Sequence, residues 1–128
     1  MSNTTAVGIG INVANKFQQE ITNSSGSLFV HSYEISIVNN LKSPVKLLSR
    51  EWNICHLMHG TSHVFGEGVV GKQPVLLPGE YYTYTSACEL LTPIGSMHGK
   101  YFFQNIHSKE LFSVNIPKFD LYYPPILN

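Results

Sequence analysis

Hydrophobic and polar residues alternate along most of the chain. Val7, Ile9, Ile11 and Val13 occupy every second position, with Gly8, Gly10 and Asn12 between them. That period of two marks a half-buried strand. Residues 28–39 form the longest such run, with Phe29, Tyr33, Ile35 and Ile37 on one face and Ser32, Glu34 and Ser36 on the other. A returning strand over residues 45–57 is expected to carry Leu48, Trp52 and Ile54 on one face. Residues 81–90 are rich in Tyr and Thr, as sheets prefer. Met97, Gly99, Tyr101 and Phe103 alternate in the next run, and Phe112, Val114 and Ile116 in the last. Polar and turn-forming clusters separate these runs. They predict a loop over 18–27 and turns over 39–44, 59–62, 92–95 and 105–109, with a short strand at 63–65. Pro117, Pro124 and Pro125 are expected to break the end of the chain.

The rhythm predicts about seven to eight strands and no substantial amphipathic helix, which is an all-β antiparallel sandwich. Leu76, Pro78, Gly79 and Tyr82 sharpen that to an immunoglobulin-like, fibronectin type III-like sandwich. In such folds the leucine plugs the core, Pro-Gly bends the chain between sheets, and a tyrosine hydroxyl bonds back to the preceding loop. Tyr82 is the expected corner tyrosine, and Trp52 the expected anchor between the sheets.

Composition narrows the function classes. A chain of 128 residues fits one domain, residues 1–128, with no linker or repeat inside it. Eight basic and eight acidic side chains cancel, so there is no general electrostatic reason to seek nucleic acid or an anionic membrane. Near-zero net charge also sets little repulsion against self-association. Cys55 and Cys88 are the only cysteines and sit in apolar runs, as reduced thiols of a cytosolic protein do. The first residues lack a signal-peptide pattern, and no run approaches the ~18 apolar residues of a membrane span. A cytoplasmic protein is expected.

Candidate chemistry is sparse. Gly66, Gly68 and Gly71 match G-x-G-x-x-G, with Lys72 beside them to neutralise a phosphate. A dinucleotide fingerprint needs a helix after it, whereas here Gln73-Pro74 leads to an apolar strand and a bend. Glu67 would also repel an anion. A bulged connection built on backbone freedom competes with ligand binding as the reason for these glycines. His56, His59 and His63 cluster near Cys55. Zinc and cobalt accept such ligands, and across a turn His59 and His63 are the pair able to converge. The spacing meets no structural-zinc pattern, and exposed turn histidines are the plainer expectation, so no metal is assigned. His31, His98 and His107 are expected at the surface or partly buried. No serine lies in G-x-S-x-G and no paired acid and base is visible, so no catalytic residue and no cofactor is assigned. Tyr81, Phe102, Tyr122 and Tyr123 fall out of phase with the core positions, as residues of a protein-binding or self-association face do.

Several runs together carry a kinship. Gly66-Glu67-Gly68-Val69-Val70-Gly71-x-Gln73-Pro74 and then Leu77-Pro78-Gly79-Glu80-x-x-x-Tyr84-x-Ser86 closely resemble the ApaG family. So do Val45-x-Leu47-Leu48-x-Arg50-x-Trp52-x-Ile54, Thr92-Pro93-x-Gly95-x-Met97-x-Gly99-x-Tyr101 and Phe112-x-Val114-x-Ile116-Pro117-x-Phe119. The match spans nearly the whole chain. The resemblance implies a fibronectin type III-like sandwich, an indirect genetic link to cobalt and magnesium tolerance, and a role in protein interaction. It also implies a pyrophosphate loop at Gly66, Gly68 and Gly71. The histidine cluster is not part of the family pattern.

The expectation is therefore a non-enzymatic binding module. Its first candidate partner is an unidentified protein, with homodimerisation as one form. The alternative is a nucleotide or pyrophosphate held at residues 66–71.

Overall fold

Nine strands form among the described residues of the computed structural model, which are 2–6 and 8–127. They are β1 (Ser2–Ala6), β2 (Ile9–Asn23), β3 (Gly26–Asn39), β4 (Val45–His56), β5 (Gly60–Glu67), β6 (Val75–Leu76), β7 (Tyr81–Leu90), β8 (Ile94–Asn105) and β9 (Leu111–Tyr122). A 3-10 turn, Pro124–Leu127, follows. One antiparallel sheet has the order β1-β2-β3-β7; the other has β5-β4-β8-β9, with β6 extending it beside β4. The chain is thus an all-β sandwich, and Val7 lies outside the described residues.

The inward faces are those that alternation assigns. Ile9, Ile11 and Val13 of β2 and Phe29, Tyr33, Ile35 and Ile37 of β3 are buried. They meet Met97, Tyr101 and Phe103 of β8 and Val114 and Ile116 of β9. Trp52 is 2% exposed and sits edge-on to Phe119 at 5.9 Å and to Tyr33 at 5.6 Å. Aromatic edges directed at ring faces make such trios more favourable than their area alone. Among these, Tyr84 and Tyr101 share a buried hydroxyl–hydroxyl bond across the sheets. On one flank β1 and β2 pack against β9, and Asn15 Nδ2 donates to Asp120 O at 3.1 Å. The other flank lies between the edge strands β5 and β7.

Several local expectations are corrected. Residues 18–27 are not a loop: β2 runs to Asn23 and β3 starts at Gly26. This ribbon is exposed on both faces, so apart from Ile21 its residues are polar or glycine and carry no alternation. Leu48 does not share the face of Trp52. A bulge shifts the β4–β8 register between Leu47 and Ser49, so Leu48 and Ser49 both stand opposite Phe102 on the outer face. One extra residue reverses every assignment before it. Pro117 does not end the last strand; β9 continues to Tyr122, and Pro117 falls where the β8–β9 register shifts, a position that needs no ladder donor. The β4–β5 turn lies at 57–59, and Gly60 already begins β5. His31 is neither at the surface nor partly exposed but 1% exposed, its ring edge against Phe17.

The corner after β6 closes through a residue that the motif did not name. Asn39 is fully buried; its Nδ2 donates to Ser43 O and Leu76 O, each at 2.9 Å, and its Oδ1 accepts from Leu41 N at 2.9 Å. Its backbone O accepts from Gly79 N at 2.7 Å. Glu80 Oε1 caps Leu77 N at 2.7 Å. Leu76 plugs the core at 3% exposure, Pro78 is exposed at the bend, and Tyr82 is half-buried with its ring 6.2 Å from that of Tyr84.

Candidate functional site

Residues 66–72 are held by bonds within the chain. Gly66 and Glu67 end β5. Gly68 N donates to the carbonyl of the bulged Leu48 at 2.7 Å, and Gln73 Nε2 reaches the same oxygen at 2.8 Å. Val69 N donates to Lys72 O at 2.7 Å and Lys72 N to Val69 O at 3.0 Å. Val70 and Gly71 are left as the central residues of a tight turn, with φ of 48° and 75°. Positive φ at both positions is the sign pattern of a type I′ hairpin turn. A β-branched residue there is strained, by roughly 1–3 kcal/mol. Lys72 is exposed at the end of the turn. The four residues of the phosphate expectation thus lie together. The N–H groups of Gly68, Val69 and Lys72, however, are bonded to chain carbonyls.

The glycine run turns carbonyls inward, toward a cation. Arg50 Nη1 donates to Glu67 O at 3.1 Å and to Gly68 O at 2.9 Å. A Cβ at Gly66 would stand 2.7 Å from that Nη1, and one at Gly68 only 1.9 Å from Lys72 O. Gly68 is therefore required by close approach, because backbone stands where its Cβ would be and the turn must fold back past it, whereas a side chain at Gly66 would displace the tip of Arg50. Arg50 is the only arginine in the chain. It lines a cleft of about 210 Å³ on the β5–β7 flank, together with Tyr33, Trp52, Val70, Ser86 and Cys88. Sequence reasoning passed over Arg50 as part of a motif. The signal was there: it stands two residues before Trp52 in an alternating strand, so it shares the inward face.

The histidines are not brought together. His56 is buried, with Leu91 N donating to its Nδ1 at 3.1 Å and its Nε2 3.0 Å from Ser62 Oγ. An accepting Nδ1 puts the proton on Nε2, so the ring pins the β4–β5 hairpin to the start of the β7–β8 turn. His63 is exposed and bonds Asn53 Oδ1 through Nδ1 at 2.6 Å; His59 is exposed in the turn. Among the described residues no group of three or more His, Cys, Asp or Glu side chains is placed to hold a metal. Cys55 and Cys88 are free thiols.

Burial holds the His31 imidazole below its ordinary 6.5, and burial followed by the charge of His59 does the same for His56. The unfolded chain therefore binds protons that the folded chain refuses once the pH drops below about 6.5. Their contribution to stability is level above that value and declines as pH falls through it. Calorimetry should give a lower melting temperature at about pH 5.5 than at about pH 7.5. His31→Leu should flatten that slope, because carboxylate titration is common to both proteins.

An apolar groove of about 480 Å³ opens on the outer face of the β5-β4-β8-β9 sheet, where Leu48, Phe65, Phe102 and Leu111 line it, and reaches the inward-facing pair Phe103 and Phe112. Phe65 is 70% exposed and Leu111 67%, and the rings of Phe65 and Phe102 lie 6.3 Å apart. Of the other out-of-phase aromatics, Tyr81 and Tyr122 are exposed. Tyr123 instead packs on Phe17 and Phe29 at 5.2 and 5.1 Å.

A family model described as the ApaG domain matches residues 19–105. The chain belongs to the ApaG family. It is 41% identical over 119 residues to Protein ApaG of Methylobacterium radiotolerans, covering 93% of this chain and 91% of that one. Protein ApaG of Anaeromyxobacter dehalogenans is 39% identical over the full length of both chains, 128 residues. Among solved structures, the putative ApaA protein from Bordetella pertussis superposes with a TM-score of 0.82 at 36% identity, covering 91% of this chain and 94% of that one. A structural-genomics crystal structure reaches 0.89 at 34% identity, with 94% and 91% covered. Their agreement over both sheets makes the sandwich the architecture of this ApaG-family chain. Among the described residues no helix is long and apolar enough to cross a membrane.

Proposed function

We propose that this ApaG-family domain is a non-enzymatic binding module of the cytoplasm that docks a protein partner on the outer face of the β5-β4-β8-β9 sheet. The observation that carries this is the groove around Phe65, Phe102 and Leu111. Outward positions of a sandwich strand are ordinarily polar, yet here they place large apolar side chains side by side in solvent. Such a patch marks an interaction surface. The occupant is an apolar segment of another protein, and a second copy of this chain is one such occupant. Any bearing on cobalt or magnesium tolerance runs through that partner.

The test is retention of proteins from native lysate by the wild-type domain and by Phe65→Ser combined with Leu111→Ser. Tyr81→Ser, on the other sheet, is the control, and sedimentation of the purified proteins separates self-association from a foreign partner. Partners lost with the double variant and kept with Tyr81→Ser support the docking face. Retention and sedimentation unchanged in the folded double variant overturn it.

A further inference from the structure

The cleft between β5 and β7 is chemically one-sided. Arg50 supplies a permanent positive charge, and only part of its guanidinium N–H set is used by Glu67 O and Gly68 O. Among the described residues no carboxylate lines the cleft. The other titratable groups there are neutral at physiological pH: burial pushes the Tyr33 and Tyr84 hydroxyls up and the Cys88 thiol up to about 11, and the Tyr84 hydroxyl is already bonded to that of Tyr101. Ser86 adds a further hydroxyl. Trp52 contributes the most telling atom. The residue lines the cleft, and its buried Nε1 has no hydrogen-bond partner. An indole N–H donates only, and leaving one unmet costs about 1–3 kcal/mol.

A guanidinium with spare N–H groups beside an unmet indole N–H, with no carboxylate in the cleft to meet them, calls for an oxyanion. The turn at Val70 gives a second, independent indication. Val70 is 57% exposed and lines the same cleft with φ of 48°. Strain of that kind persists where the surroundings impose it and gathers at ligand clamps. The volume limits the ligand. About 210 Å³ is below the ~300–1,000 Å³ of sites for drug-sized molecules, a size that suits a small anion better than a whole nucleotide. Ile54, Val64 and Met97 supply an apolar wall for a short body attached to it.

We propose that the inter-sheet cleft is an oxyanion site, in which Arg50 pairs with a small carboxylate or phosphate and Trp52 Nε1 donates a second bond to it. The glycine run then has a role different from cradling phosphate with its own N–H groups: it holds the arginine that does. This site is separate from the apolar outer face and does not depend on it.

Trp52 is the only tryptophan, so its indole N–H resonance and its fluorescence report this cleft alone. Inorganic pyrophosphate and isovalerate, titrated separately into labelled protein, represent the phosphate and carboxylate sources. A saturable downfield shift of the indole N–H with either is expected, and the tighter of the two identifies the source. Arg50→Met should weaken that binding roughly tenfold or more. Because this variant also releases the glycine run, Ser86→Ala and the wild-type spectrum stand beside it; the serine change is expected to weaken binding without moving the fold. An indole resonance that stays put at millimolar anion, or a shift confined to the amides of residues 69–72, would overturn the proposal. So would saturation unchanged in folded Arg50→Met.

Discussion

Trp52→Ala is expected to remove a large share of the domain's stability. The side chain is 2% exposed and edge-packed on both Phe119 and Tyr33, so its removal opens a cavity that two sheets joined by ladders cannot collapse into. Losses of this kind cost roughly 3–5 kcal/mol, against a total stability of about 5–15 kcal/mol for a domain of this class. The melting temperature should fall by roughly 10–20 °C. Trp52→Phe separates packing from polarity. Since Nε1 has no partner in the fold, the phenylalanine loses volume and no hydrogen bond, and it should cost well under half as much. A melting midpoint unchanged in Trp52→Ala would refute the anchoring role.

Asn39→Ala should be nearly as damaging, although it deletes far fewer atoms. The side chain is the shared partner of two carbonyls, Ser43 O and Leu76 O, and of Leu41 N. Alanine leaves these backbone groups short of partners, buried at Leu76 O and part-buried at Ser43 O and Leu41 N, at about 1–3 kcal/mol for each group left unsatisfied. The expected total is roughly 3–5 kcal/mol, read by urea denaturation. Asn39→Asp provides the complementary check. An ionised carboxylate offers no donor to the two carbonyls, so this variant should be as unstable as alanine at neutral pH and regain part of the loss in acid. If Asn39→Ala keeps the wild-type midpoint, the corner is closed by other bonds.

The corner shows how far a motif reaches. L-x-P-G-x-x-Y marked the bend and placed Leu76 in the core, because a bend between sheets needs Pro-Gly and a plug at fixed local spacing. It also nominated Tyr82 for the closing bonds, and the structure places those on Asn39 and Glu80. Asn39 lies 37 residues before Leu76, and a bond over that distance has no local spacing to betray it. The glycine run behaves alike. Its spacing is the same whether the N–H groups face a phosphate or the carbonyls face an arginine. Only the approach of β4 to β5 puts Arg50 against Gly66.

Alternation determined the all-β class, the strands β3 and β8, and the inward sets of Ile, Val and aromatic residues, while Tyr and Thr content marked β7. Apart from β7, each of these follows from a two-residue period fixed by the geometry of a single strand. Tertiary structure decided what that period cannot carry. A one-residue bulge sent Leu48 outward to join Phe65 and Phe102, and a ribbon exposed on both faces hid its strands in polar sequence. The cleft likewise took its character from β3, β4 and β7 converging with the turn at Val70. Periodicity records which way a side chain points. Which groups it meets is set by segments distant in sequence, and those meet only when the sheets pack.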